Sequence, residues 1–228
     1  METTDMLEDG FSYPVRGDWV GRMIIGGVLG LFSVLILPAI ILYGYFVEVL
    51  RTTAQGKDEA PTFSDWGEMI KDGFVGIIIS IAYAIIPFAI VGGIATVFLS
   101  GGAALGGDGG GALAGFGFIS LLLLIPLVFV IYYVVPAAIT AYATEGRIGA
   151  AFSFSILKPI LLSGSYFIAV LAPILVAVVI WVATSVLAIT VVGLLLVPFL
   201  QFYGQVAIFR MFGLAYRDVA KSSAQGAF

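Results

Sequence analysis

The sequence contains no cysteine and no histidine. The first absence excludes disulfides and thiolate chemistry, and the two together exclude nearly all zinc, haem and iron–sulfur ligation. The second also removes the side chain that most often moves protons near neutral pH. Charge is scarce: Asp, Glu, Lys and Arg make up 11% of the 228 residues, against about 25% in a soluble domain. The net charge is −4 and the isoelectric point about 4.6, so the basic footprint of a nucleic-acid binder is missing. No GxSxG elbow, HExxH pair or intramembrane carboxylate pair occurs. The expectation is a protein that is not an enzyme, with no catalytic residue, cofactor or metal.

What remains is apolar. Hydrophobic residues make up 61% of the chain and the mean hydropathy is +1.14, too much to hide in a soluble core of this size. The reading is an all-α, polytopic transmembrane bundle of about five spans with two short cytoplasmic interfacial helices. The acidic start METTDMLEDG lacks a basic n-region and a small-residue cleavage site, so it is not read as a signal peptide. Residues 1–19 form a polar tail, broken by Gly10, Pro14 and Gly17 until Asp18 caps the first helix. The spans are expected at about 20–50, 74–99, 118–142, 164–185 and 190–216, followed by a C-terminal tail, 218–228. Met23–Val47 is uncharged and long enough to cross about 30 Å of hydrocarbon. Pro38 is expected to kink it, and Gly26 and Gly30 offer a GxxxG face to another helix. The stretch 100–117 has nine glycines and only Asp108 as a charge, which predicts a flexible connector. It lacks the Gly-Lys-Ser/Thr of a phosphate loop and the carboxylates of a calcium loop.

One stretch, 37–73, organises the rest. An apolar helix leaves the membrane at Tyr45 and Arg51, a charged loop follows, and Asp65 with Glu68 resembles a capping box. Trp66, Met69, Ile70 and Phe74 then share one side, with Asp65, Glu68 and Asp72 on the other. That pattern predicts an interfacial helix with Phe63 and Trp66 as anchors. Its polar face is acidic, so it is expected to dock on the protein's own bundle rather than on anionic lipid. A second amphipathic piece, GAAFSFSILKPI, carries Phe152 as its anchor and ends at Pro159. Pro38, Tyr43-Gly44 and Arg51 are echoed by Pro198, Tyr203-Gly204 and Arg210, and more weakly by Pro136 and Tyr142. Internal repeats of this kind are frequent in transporters, although Pro and Tyr coincidences are cheap in apolar sequence.

Arg51, Lys57, Lys71, Arg147, Lys158, Arg210, Arg217 and Lys221 gather in three regions on one side of such a bundle. The positive-inside rule makes that side, and the C-terminus, cytoplasmic in the plasma membrane. With five spans the N-terminus is then outside. Arg16 and Arg22 sit at the wrong end for that topology. The alternative puts the N-terminus inside and turns the first apolar segment into a re-entrant hairpin near Pro38.

Ionisable residues deep in a span are functional by default. Glu48 and Arg210 lie one to two turns inside their spans and are candidates to pair with each other across the bundle, as a structural or snorkelling pair or, alternatively, in a proton or substrate role. Gln201, Tyr203 and Gln205 are the most polar residues at membrane depth and the best candidates for a cavity lining. Interhelical hydrogen bonding is the more common use of such residues. Tyr43, Tyr45, Tyr132, Tyr133, Tyr142 and Tyr166 read as an aromatic belt.

The segments LYGYFVEVLR, EAPTFSDWGEMIKDG and GRIGAAFSFS resemble a family of uncharacterised multi-pass membrane proteins, a domain of unknown function frequent in salt-loving archaea. The similarity covers roughly 10–217. Its most specific part is Gly44-Tyr45 with the downstream Pro61, Phe63 and Trp66, while Glu48 stands near a position where the family usually carries arginine. The resemblance implies a plasma-membrane protein and fits the acidic isoelectric point; it carries no activity, ligand or site residue. Two functional classes follow. One is a structural or assembly component that meets membrane lipid and a second copy or a membrane-protein partner. The other is a channel or transporter-like subunit for a small or apolar solute. A water-accessible path past Gln201, Tyr203 and Gln205 favours the second; sealing of these residues favours the first.

Overall fold

The structure is a computed structural model that describes residues 3–225; the extreme ends of both tails, 1–2 and 226–228, lie outside the described residues. Among these, the chain is all-α. Helices α1 (Thr3–Ser12), α2 (Trp19–Leu31), α3 (Ile36–Ala54), α4 (Trp66–Leu105) and α5 (Gly107–Leu122) are followed by α6 (Leu124–Glu145), α7 (Phe154–Leu161), α8 (Gly164–Leu187) and α9 (Val191–Gln225). Taking α5 and α6 as one run, five helical segments are long and apolar enough to cross a membrane, and α2 is a shorter apolar helix. The expected polytopic helical architecture is present, and this is an integral membrane protein.

The chain divides into two compact units, one comprising residues Met1–Ile77 and Pro136–Phe228 and the other Ile78–Val135. The first unit is built on α9. Gly26 and Gly27 of α2 lie against the Phe202 and Phe199 rings, and Gly30 lies against Pro198. On α3, Tyr45 is 5.3 Å from Phe202 and Phe46 is 5.0 Å from Phe209 between ring centroids. Gly213 of α9 meets Thr53 near the end of α3. These pairings make α3 parallel to α9 and α2 antiparallel to both.

The first apolar run is therefore a hairpin rather than one kinked span. Its turn spans residues 32–35, where Leu35 N–H donates to the Phe32 carbonyl at 2.9 Å. Pro38 falls in the first turn of α3, where its missing N–H leaves nothing unsatisfied. It starts a helix instead of bending one. The GxxxG face is occupied by α9 of the same chain. Arg22 consequently sits at the same end as the 55–65 loop, and its apparent misplacement disappears.

The tightest contact in this unit is between α3 and the start of α4. A Cβ on Gly44 would lie 1.7 Å from the Met69 carbonyl oxygen, and one on Gly73 would lie 1.9 Å from that of Ile40. The two backbones touch through paired glycines. On the other flank, Gly204 of α9 admits Ile180 of α8. The two prominent glycines of the Pro38 and Pro198 echoes thus do similar work, each letting a neighbouring helix approach.

Several local expectations are corrected. Residues 3–12 are helical, with Met6 buried and Gly10 against Met211; burial of this face on α9 outweighs the breakers in the tail. Asp18 makes no side-chain cap. The first amphipathic stretch is not a separate interfacial helix but the opening turns of α4, continuous to Leu105. The second is separate: a 3-10 turn at Ile148–Phe152 leads into α7.

In the second unit the glycine-rich stretch is helical instead of an open connector. It reverses only at Gly106 and Gly107, whose φ values of 61° and 58° favour glycine. Gly102 and Gly110 then let the two helices meet at backbone distance. The run expected as a single third span breaks at Leu123. Pro126 cannot donate to the Leu122 carbonyl, so the ladder is interrupted there.

Candidate functional site

The charged end of the first unit is organised by the loop between α3 and α4, 55–65. Such a loop would normally solvate its own carbonyls. Here five consecutive carbonyls each accept from a different side chain. Arg210 donates to Lys57 at 2.6 Å, Arg16 to Asp58 at 3.4 Å and Tyr13 to Glu59 at 3.1 Å. Arg22 donates to Ala60 at 2.9 Å and Tyr45 to Pro61 at 2.9 Å. The donors come from the N-terminal segment, α2, α3 and α9, so the loop is clamped from four directions.

Each donor is held in turn. Arg22 Nη2 also donates to the Pro14 and Arg16 carbonyls at 3.0 and 2.7 Å, and its Nε is buried without a partner. Arg210 is 1% exposed; its Nε donates to Asp9 at 2.7 Å and its guanidinium lies 4.3 Å from the centre of the Tyr13 ring. Asp9 also accepts from Arg16 at 2.7 Å. Burial pushes the Asp9 carboxyl up, but hydrogen bonds and charge from Arg210 and Arg16 outweigh this and hold it below its ordinary value.

A second cluster joins α3, α4 and α6. Arg51 donates to Asp72 at 2.6 Å, to Glu48 and, through Nε, to the Ala143 carbonyl at 3.0 Å. The other Asp72 oxygen accepts from the Tyr142 hydroxyl at 2.6 Å. Asp72 is 2% exposed, and both its oxygens are engaged, as a buried carboxylate requires. Between this cluster and the clamped loop is a cavity of about 510 Å³ whose walls include Glu48, Arg51, Lys57, Asp65, Met69 and Asp72.

The expected Glu48–Arg210 pair does not form. Glu48 pairs with Arg51 one turn away, and Arg210 is taken by Asp9. Tyr203 donates to the Phe11 carbonyl, so it serves α1 and not a cavity. Gln201 and Gln205 do line a cavity, about 200 Å³, together with Thr184. Phe63, expected as an interfacial anchor, is 9% exposed and stacks on Tyr45 at 4.3 Å. Trp66 and Phe152 are exposed at 41% and 48%. Asp65 caps the Glu68 N–H at 3.2 Å, while the Glu68 carboxylate turns to Lys71. Met69 and Asp72, expected on opposite sides of this segment, are both buried, while Trp66, Ile70 and Phe74 are exposed, because Asp72 turns in to Arg51 and Tyr142. Tyr45, Tyr142 and Tyr166, read as a belt, are buried.

Sequence reasoning missed Asp9, Tyr13, Asp72 and Tyr142 as structural partners. Asp72 lay on the polar side of an amphipathic helix and passed for a solvated charge. The one available signal was Arg16 and Arg22, whose conflict with the charge rule pointed to internal partners.

This arrangement can hold a loop rigid and present it. Within it, Asp72 is committed on both oxygens, to Arg51 and to Tyr142. The profile of a family described as a protein of unknown function, DUF4013, matches residues 29–189. An uncharacterised protein of Methanocaldococcus jannaschii is 36% identical over 73 residues, which is 30% of this chain and 26% of that protein. The aligned stretch thus spans about a quarter of that relative. No solved structure matches the chain.

Proposed function

The chain belongs to the DUF4013 family of proteins of unknown function, and on that premise we propose that it is a structural or assembly component of the membrane, self-associating or holding a membrane-protein partner, and not an enzyme. The observation that carries this is the clamp: Arg16, Arg22, Arg210, Tyr13 and Tyr45 all end on the chain's own loop carbonyls. A carrier coupled to protons or ions needs a polar group at membrane depth that can change partners. The buried charged groups Arg22, Asp72 and Arg210 are committed to the fold, and what they build is a rigid polar platform above an apolar bundle that meets lipid.

The side of the membrane is part of the same reading. With α2 and α3 as a hairpin, Arg16 and Arg22 join the other basic residues at one end, which the positive-inside rule assigns to the cytoplasm. Both termini are then cytoplasmic and the host membrane is the plasma membrane. The acidic balance fits a salt-rich interior of a halophilic archaeon, where screening lets carboxylates crowd.

One observation favours the second reading, a channel or transporter-like subunit for a small or apolar solute: the cavity that Gln201 and Gln205 line. The two are separated by purifying the protein in lipid nanodiscs, measuring its mass by light scattering, and assaying solute flux in liposomes. A defined oligomer or a stoichiometric partner without flux supports assembly. A monomer that passes solutes overturns it.

A further inference from the structure

We propose that the outer face of α8 and α9 around Gln201, Gln205 and Thr184 seats a second copy of this chain; the proposal rests on the assembly reading and names its surface. Gln201 is exposed and lies ten residues beyond Val191, so it is about 15 Å along α9, near the middle of a hydrocarbon layer about 30 Å thick. Gln205 shares its stripe, one turn nearer the charged end. The Thr184 hydroxyl oxygen is buried without a hydrogen-bond partner, although the neighbouring Ser185 hydroxyl donates to its own helix at Trp181, 2.8 Å away. Gln201, Gln205 and Thr184 line one cavity of about 200 Å³ with apolar sides of Ala177, Ile180 and Ile208. Trp181 stands at its rim, 69% exposed.

A lipid tail has no donor or acceptor, so hydrocarbon contact leaves two amides unsatisfied at a depth where water does not compete. A second copy resolves this with the least chemistry. Each glutamine carries both a carbonyl acceptor and an amide donor, so a two-fold axis along the stripe lets identical side chains satisfy each other. The cavity, with Thr184 in its wall, has room for the incoming side chain. Trp181 supplies the flat apolar rim of an isologous contact.

The absence of cysteine makes the test direct. Gln201→Cys in native membranes, treated with an oxidant, is expected to give a disulfide-linked dimer. Ile24→Cys, on an exposed position of α2 at 54%, is expected to give several-fold less. The double variant Gln201→Leu/Gln205→Leu keeps the volume and an apolar surface, and tryptophan fluorescence checks its fold. Its self-association, followed by energy transfer on lipid dilution, is expected to weaken about threefold to thirtyfold per hydrogen bond lost. Equal cross-linking at Ile24 and Gln201, or unchanged association of the leucine variant, overturns the proposed face while leaving the assembly reading in place. A monomeric wild-type protein overturns both.

Discussion

Alanine at Gly44 tests the packing that positions the charged end. The added methyl would lie 1.7 Å from the Met69 carbonyl oxygen, 2.5 Å from its carbonyl carbon and 2.8 Å from its Cα. All three are backbone atoms in a helix, so no side chain can swing away. Reaching even 3.0 Å from that oxygen requires α3 and α4 to part by more than about 1 Å, enough to forfeit a quarter to a half of each contact's dispersion energy. Asp72 is next to Gly73 at the same crossing, and its 2.6 Å bonds to Arg51 and Tyr142 stretch with it. Overpacking costs about 1–3 kcal/mol, and the rigidity on both sides places Gly44→Ala at the upper end, about 3 kcal/mol. That is roughly a hundredfold in the unfolding equilibrium. Gly92→Ala is the control: it is in α4 with nothing within 4 Å, and helix propensity makes it neutral or about 1 kcal/mol stabilising. The assay is reversible unfolding in mixed micelles titrated with a denaturing detergent, read by tryptophan fluorescence. A Gly44→Ala stability within about 0.5 kcal/mol of wild type would falsify the backbone-contact reasoning.

Three other outcomes are expected. Asp9 has a depressed carboxyl pKa in the folded chain, so its contribution is complete above the unfolded value of about 3.9 and is lost as pH falls through the folded value. Asp9→Asn should therefore cost about 1–2 kcal/mol near neutral pH, less in high salt because its side chain is 26% exposed, and should flatten the acid limb of stability. An unchanged acid limb counts against the Asp9–Arg210 pair. Tyr142→Phe leaves a buried Asp72 oxygen unsatisfied and should destabilise by about 1–3 kcal/mol, whereas Tyr132→Phe, on a side chain 40% exposed, should be near neutral. Single cysteines at Glu8 and Ser64, both exposed, should label with an impermeant thiol reagent from the same side of the membrane. Labelling from opposite sides would remove the α2–α3 hairpin.

Much of the bundle was legible because burial in a membrane is written in composition. Runs such as Met23–Val47 and Tyr166–Tyr216 have no other stable home, and lipid forces their backbones into helices. The last two apolar helices are separated by residues 188–190, since α8 ends at Leu187 and α9 begins at Val191. The hairpin at 32–35 was harder, because no proline or glycine run marks it. Pro38 drew attention as a kink, although proline in a first helical turn is unstrained. The glycine-rich stretch 100–117 misled in the opposite sense: glycine in water reads as flexibility, but between two lipid-embedded helices it permits close approach.

The charged end shows the limit most clearly. Residue types and rough depth were readable for Glu48, Arg51 and Arg210, but their partners were not. Glu48 was expected to reach Arg210 across the bundle, yet Arg51, three residues along the same helix, takes it first. Arg210 instead meets Asp9, about two hundred positions away in the chain, because α1 folds back onto α9. By itself the sequence determined a helical membrane protein with most of its basic residues at one end, since period, length and desolvation act locally. Only the tertiary structure decided which carboxylate faces which arginine and which five side chains clamp the loop. Those pairings depend on helix order and crossing, which no local stretch encodes.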